Sequence, residues 1–251
     1  MKKQSIIIPA HNEQDRIGVT LEAYGAFFAQ KEQEGKVASE VLVVLNGCSD
    51  NTAEVVKKAQ ERYPSISMID VQAAGKGLAI IAGFADALER QENDFIGFVD
   101  ADMATEPHYY YELFEKLGSH DGLIASRYMP ASKISPARPW IKSWGRKIVY
   151  NTMVRALFDI NYVDYQCGAK LFKREVVASI VHDMQEGQWA FDVEVLYLAK
   201  KHGFSIGEIP TVWVDKEGSK LATYSSGIKM LRSLFELKRQ HANKEEGRNK
   251  W

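Results

Sequence analysis

Phe95-Ile96-Gly97-Phe98-Val99-Asp100-Ala101-Asp102 decides the fold class of this 251-residue chain. Its apolar, β-rich first half reads as a strand buried on both faces, the kind found in parallel sheets. Its second half places two carboxylates where that strand ends. In open α/β sheets, ligands gather at the carboxyl ends of the strands.

Working outward, residues 5–10, 40–45, Ile66–Val71 and Gly122–Ser126 repeat the short apolar run. Between them lie helical patterns: from Asn12-Glu13 to about Gln33, over residues 52–63, from Gly75-Lys76-Gly77 to about Arg90, and from Pro107, a favourable first-turn residue. The βαβαβαβαβ order predicts an α/β fold with a mostly parallel central sheet flanked by helices. No internal repeat or low-complexity linker interrupts it. Residues 1–241 are expected as one domain, with amphipathic basic helices at about 139–158 and 226–240, and residues 242–251 as a charged flexible tail.

Composition narrows the class. Hydrophobic residues make up 45% and charged residues 26%, which excludes a disordered, collagenous or disulfide-scaffold chain. The net charge of −1 gives no bulk attraction for nucleic acid. Two cysteines, Cys48 and Cys167, suit a reducing compartment. No apolar run approaches the ~20 residues of a membrane span, and residues 6–10 are too short for a signal-peptide core. A cytoplasmic location is therefore expected. Charge is nonetheless uneven. Residues 122–158 hold seven of the 32 basic residues, and all 33 acidic residues lie outside that segment. A site for an anionic partner, phosphate or membrane surface, fits such a segment better than a solvated basic face.

Several motifs carry chemistry. Asp100 and Asp102 flank a small residue at a strand end. They can hold Mg²⁺ or Mn²⁺ against a diphosphate, or serve as a helix cap and a turn acid. Gly75-Lys76-Gly77 offers flexible backbone, helix N–H groups and a cation to an anion, or is a tight turn with a surface lysine. It lacks the full phosphate-loop pattern, and no Gly-x-Gly-x-x-Gly follows the first strand, which disfavours a phosphate-loop nucleotidase and a dinucleotide dehydrogenase. Asp192, in Trp189-Ala190-Phe191-Asp192-Val193-Glu194, is a general base toward a hydroxyl or a helix-start acid. Cys167 reads as a buried structural thiol. The six histidines lack zinc spacing.

Taken in order, these blocks resemble the family 2 glycosyltransferases of the GT-A (nucleotide-diphospho-sugar transferase) fold. Within that family the likeness is to the polyprenyl-phosphate group and its dolichyl-phosphate β-glucosyltransferases. The blocks are residues 7–13, 46–52, Gly75-Lys76-Gly77, Asp100-Ala101-Asp102 with Ala104-Thr105, Ser126-Arg127, Asp164-x-Gln166-Cys167-Gly168-x-Lys170-Leu171-Phe172, Trp189 to Glu194, and Glu217-Gly218-Ser219-Lys220. The resemblance implies an inverting, metal-dependent hexosyltransferase using a nucleotide-sugar donor. Glucose from UDP-glucose is the implied donor and a polyprenyl or dolichyl phosphate the implied acceptor. It places Pro9, Ala10, His11, Asn12, Glu13 and Asn46 at the base and ribose. Gly75, Lys76, Asp100 and Ala101 lie along the nucleotide, with Asp100 and Asp102 on the metal. Arg127, Arg138, Arg146, Ser219 and Lys220 hold the acceptor phosphate, and Arg127, Lys220 and Asp192 stand at the reaction centre.

Three features depart from the family pattern. Leu45-Asn46 replaces a frequent Asp-Asp pair. Ala104 stands where mannosyl relatives often carry a metal-binding Gln, which leans toward the glucosyl group. No run here matches the N-terminal membrane anchor of the endoplasmic-reticulum enzyme. A lipid monophosphate, with a second pKa near ~6, needs no base, whereas a glycan or protein hydroxyl would make Asp192 essential. A third reading is a non-catalytic nucleotide-sugar or membrane-binding module. The first basic helix, with Trp140, Ile141, Trp144 and Ile148 beside Lys142, Arg146 and Lys147, suits the cytosolic face of a membrane, whereas the second is expected to pack on the core.

Overall fold

A computed structural model describes residues 1–136, 140–188, 190–214 and 224–248, with the side chains of 140–147, 224–229 and 244–248 outside that description. Trp189, Arg138, Ser219 and Lys220, and the Arg146 side chain, therefore lie outside the described residues.

The first half follows the expected alternation. Strands β1 (Lys2–Ala10), β2 (Val37–Asn46), β3 (Ile66–Val71), β4 (Phe95–Val99) and β5 (Gly122–Ser126) alternate with helices α1 (Ile17–Gln33), α2 (Thr52–Arg62), α3 (Lys76–Glu89) and α4 (Pro107–Glu115). The second half adds β6 (Lys133–Ser135), α5 (Trp140–Phe158), β7 (Ala169–Lys173), α6 (Arg174–Ile180), α7 (Phe191–Lys201), β8 (Ile206–Pro210), β9 (Val212–Val214) and α8 (Tyr224–Arg248). Helix α8 continues past residue 242, where a flexible tail was expected to begin.

Seven strands form one sheet in the order β3-β2-β1-β4-β7-β5-β8, and β6 and β9 form a small parallel pair beside it. The sheet is parallel except for β7, which runs antiparallel between β4 and β5. Apolar side chains alternate between its two faces, so each strand feeds two cores. Ile7, Leu42, Val44 and Phe98 meet α3 and α5 to α8 on one side, and Ile6, Ile8, Val43 and Val99 meet α1, α2 and α4 on the other.

Chain order reverses at β1. Strands β2 and β3 step away on one side, and β4 pairs with β1 on the other. Such a reversal opens a crevice at the carboxyl ends of the two strands that flank it. Here those ends carry His11-Asn12-Glu13 and Asp100-Ala101-Asp102. Two residues just past them, Asn12 (φ 54°) and Met103 (φ 60°), adopt the left-handed backbone that sharp loops require. Asn12 is held there because its Oδ1 accepts from Ser49 N at 2.8 Å. That turn delays the helix expected from Asn12-Glu13, so α1 starts at Ile17.

Candidate functional site

Four loops meet at the reversal, and Asn46 ties three of them. Its Nδ2 donates to Ala10 O at 3.1 Å, Gly75 N donates to its Oδ1 at 3.1 Å, and its own carbonyl accepts from His11 Nδ1 at 2.7 Å. Asn46 is buried, and its amide works as a knot between the ends of β1 and β2 and the entry to α3. The bond to Asn46 O requires a proton on His11 Nδ1.

Glu13 is engaged as well. Arg16 grips it with Nε and Nη2, both at 2.7 Å. The spacing of three residues was visible in sequence, but the pairing was not read from it. Arg16 keeps its charge firmly: the hydrogen bond to Glu13 leads, burial works against it, and the field of Glu13, Asp102 and Asp100 adds to it.

The acids at the end of β4 have different surroundings. Asp100 Oδ1 accepts from Lys76 Nζ at 2.5 Å. A Cβ on Gly168 would lie 2.0 Å from Asp100 Oδ2, so the carboxylate rests on a glycine that leaves it room. Asp102 accepts from Ala104 N at 3.1 Å. Burial first, and then the charge of Asp100, raise its carboxyl above the usual carboxylate range, against the pull of the Ala104 N–H, Arg16 and Lys76. Two hard oxygen groups that repel each other favour a cation between them.

Among the described residues, no three His, Cys, Asp or Glu side chains gather as a complete metal cage. Mg²⁺ and Mn²⁺ sites in nucleotide enzymes use one or two carboxylates and fill the rest of the shell with phosphate and water. The donor set of Asp100 and Asp102 fits an ion of that class.

Gly75 and Gly77 are held against a neighbouring loop. A Cβ on Gly75 would lie 2.5 Å from Gly187 O, and one on Gly77 would lie 2.1 Å from Glu186 O. Leu78 N also donates to Gly187 O at 3.2 Å. The glycines admit the backbone of the 185–188 loop. Lys76 remains as the polar group of that motif and is half-buried. Burial disfavours its charge, but Asp100, Asp192 and Asp102 together outweigh burial and hold it protonated.

Asp192 opens α7 and is almost buried. Its Oδ1 accepts from Lys170 Nζ at 2.5 Å, and Lys170, wholly buried in β7, also donates to Cys167 O at 2.7 Å and lies over the Phe98 ring at 5.2 Å. Sequence reading gave Lys170 no role. A lysine inside an apolar strand was the available signal that an acid must face it. Two residues on, Glu194 is fully buried and accepts from Gln185 N at 2.9 Å, Glu186 N at 2.8 Å and His241 Nε2 at 2.7 Å. It fastens the 185–188 loop to α7 and α8. The Cys167 thiol is buried, with a pKa pushed up to about 12 mainly by burial, which fits the structural reading.

Arg127 has a buried acidic partner. Its Nε and Nη2 form a two-pronged pair with Asp164 at 2.7 and 2.9 Å, and its backbone N donates to the same carboxylate at 3.0 Å. Its guanidinium also lies over the Trp213 ring at 4.9 Å, so Arg127 anchors the loop before Cys167.

The family model for glycosyl transferase family 2 matches residues 5–181. A dolichyl-phosphate beta-glucosyltransferase of Dictyostelium discoideum is 30% identical over 247 residues, which cover 93% of this chain and 73% of that protein. Among solved structures, a mycobacterial protein aligns with a TM-score of 0.67 at 16% identity, covering 93% of this chain and 72% of that one. A mannosyltransferase from Pyrobaculum calidifontis, solved with GDP-Man and Mn²⁺, aligns at 0.59 with 18% identity, covering 86% and 57%. The structural likenesses carry the fold, and the sequence matches carry the kinship: this chain belongs to glycosyltransferase family 2.

Proposed function

We propose that this chain transfers a hexose, glucose from UDP-glucose, to a polyprenyl or dolichyl phosphate, with inversion at the anomeric carbon and at the cytosolic face of a membrane. The observation that carries the choice of acceptor is the bond between Asp192 and the buried Lys170 at 2.5 Å. A hydroxyl acceptor needs a base that reaches it. Here the candidate base is nearly buried and already engaged. A lipid monophosphate arrives ionised and needs none. The name of the Dictyostelium discoideum relative supports the same acceptor and sugar.

The donor diphosphate would lie across Lys76 and the end of β4. A bound Mg²⁺ or Mn²⁺, held by Asp102 and Asp100, would supply positive charge where the diphosphate departs. Lys76 would add an ammonium to that leaving group. Pro9 to Glu13 and Ala101 would frame the nucleoside, with Asn46 fixing the loops behind it. The acceptor phosphate needs cations to approach a second anion. With Arg127 paired to Asp164, that work falls to Arg138, Arg146, Ser219 and Lys220.

Membrane contact is supported by Ile148 and Val149 on α5 and Phe235 on α8, which are exposed beside Arg155, Arg232 and Arg239. The inner face of α8, Leu234 and Leu237, packs on the core as expected. No helix among the described residues is long and apolar enough to cross a membrane.

Incubation with UDP-glucose, Mn²⁺ and dolichyl phosphate should yield a glucosylated lipid. The paired substitution Lys170→Met with Asp192→Asn, which removes both charges together, should retain turnover within tenfold. Absence of glycolipid, or loss of turnover in a folded double variant together with transfer to a glycan hydroxyl, would overturn the assignment.

A further inference from the structure

Asp100 already has a cation on it. Lys76 Nζ sits 2.5 Å from Asp100 Oδ1, while Oδ2 faces Gly168. Lys76 thus holds the oxygen that lies farther from Gly168. The backbone on either side of Lys76 cannot retreat, because Gly75 and Gly77 are pressed against Gly187 and Glu186. Its side chain can: it is 33% exposed, and that of Asp100 is 23% exposed. Asp192, which acts on Lys76 along with Asp102, has its own partner in Lys170. Leaving Asp100 therefore does not strand a second buried carboxylate.

We propose that Lys76 is a placeholder cation: it occupies Asp100 until a divalent ion arrives together with the nucleoside diphosphate, and then moves from the carboxylate to the phosphate. This rests on the metal-assisted reading above and adds an order of binding to it. A bare divalent ion meets an ammonium on one of its two ligands. Displacing that ammonium into water gives it no new anion. An ion that brings a diphosphate offers Lys76 a new charge-assisted bond in exchange for the one it gives up. Metal and nucleotide are then coupled through one side chain, and linkage makes the coupling mutual. Free metal does not preload the site, and release of the nucleotide returns Lys76 to Asp100.

The test measures Mn²⁺ binding by electron paramagnetic resonance, with and without UDP, in the full chain, Lys76→Met, Lys76→Gln and Asp102→Ala. Sugar and lipid are both absent, so an error in the proposed acceptor leaves the result untouched. The native chain is expected to bind Mn²⁺ alone weakly. Lys76→Met and Lys76→Gln should bind it at least tenfold more tightly, and the gain that UDP gives the native chain should shrink by a similar factor. Asp102→Ala should abolish binding. Lys76→Gln guards against misfolding of the methionine variant, with circular dichroism confirming the fold of each. Mn²⁺ binding in either folded Lys76 variant no tighter than in the native chain overturns the proposal. So does an absence of Mn²⁺ binding by every variant in the presence of UDP.

Discussion

Asp102 is held in a protonation balance that works against the folded state. Burial and the neighbouring Asp100 raise its carboxyl, so ionising it costs more in the folded chain than in the unfolded one. An acid raised in this way contributes stability at low pH that is lost as pH climbs through its folded value. At neutral pH the charged Asp102 is therefore a liability to folding. Replacing Asp102 by Asn should raise the melting temperature at pH 7 by a few degrees, and lower kcat by at least about a hundredfold. Calorimetry and a steady-state assay on the same preparation separate the two effects. A variant both less stable and less active would show that the carboxylate is a structural partner instead.

At the scale of elements, α3 meets the 185–188 loop in a tight backbone joint. A methyl group on Gly77 would lie 2.1 Å from Glu186 O, and that atom is backbone, so nothing flexible can yield. Gly77→Ala should cost about 1–3 kcal/mol in urea unfolding and weaken UDP binding, as α3 is pushed off the loop and Lys76 shifts with it. The elements up to β5 were legible in the sequence because each apolar run is bounded by turn residues and alternates with a helical pattern. Strand β7 was not legible. Lys170 breaks its apolar run, and the acid that accounts for that lysine stands 22 residues away. Strands β6 and β9, three residues each, are too short to announce themselves. The acids at the strand ends were readable because position along a strand is local. The partners that decide their behaviour, Lys170 for Asp192, Asp164 for Arg127 and Gly168 beside Asp100, were not, because they come from distant segments. The glycines of Gly75-Lys76-Gly77 were noticed, but not the 185–188 loop that they admit. Sequence shows that backbone is needed close by, and does not show whose.

At the scale of the whole molecule, two properties follow from how the parts are joined. Burial alone would raise Asp164, but the charge and hydrogen bonds of Arg127 outweigh it and hold its carboxyl below the usual range. A lowered acid stabilises the fold above its unfolded pKa, about 3.9, and that support is lost as pH falls through the lower folded value. Stability should thus drop on acidification from pH 5 to 3. The Arg127→Met, Asp164→Asn pair should show a shallower drop in urea melts over that window. The second property concerns the surface formed by α5 and α8. Vesicles containing anionic lipid should sediment the protein, and Val149→Ser with Phe235→Ser should reduce the bound fraction at least fivefold. Equal binding by neutral vesicles would argue against the basic residues as its source. His241, near the end of α8, has a longer reach than its surface neighbours. Its imidazole completes the buried triangle in which Glu194 grips the loop behind Lys76. A polypeptide still emerging from the ribosome carries Glu194 and the loop it grips long before it carries that imidazole. The fastening of that loop is then finished only when translation has passed position 241.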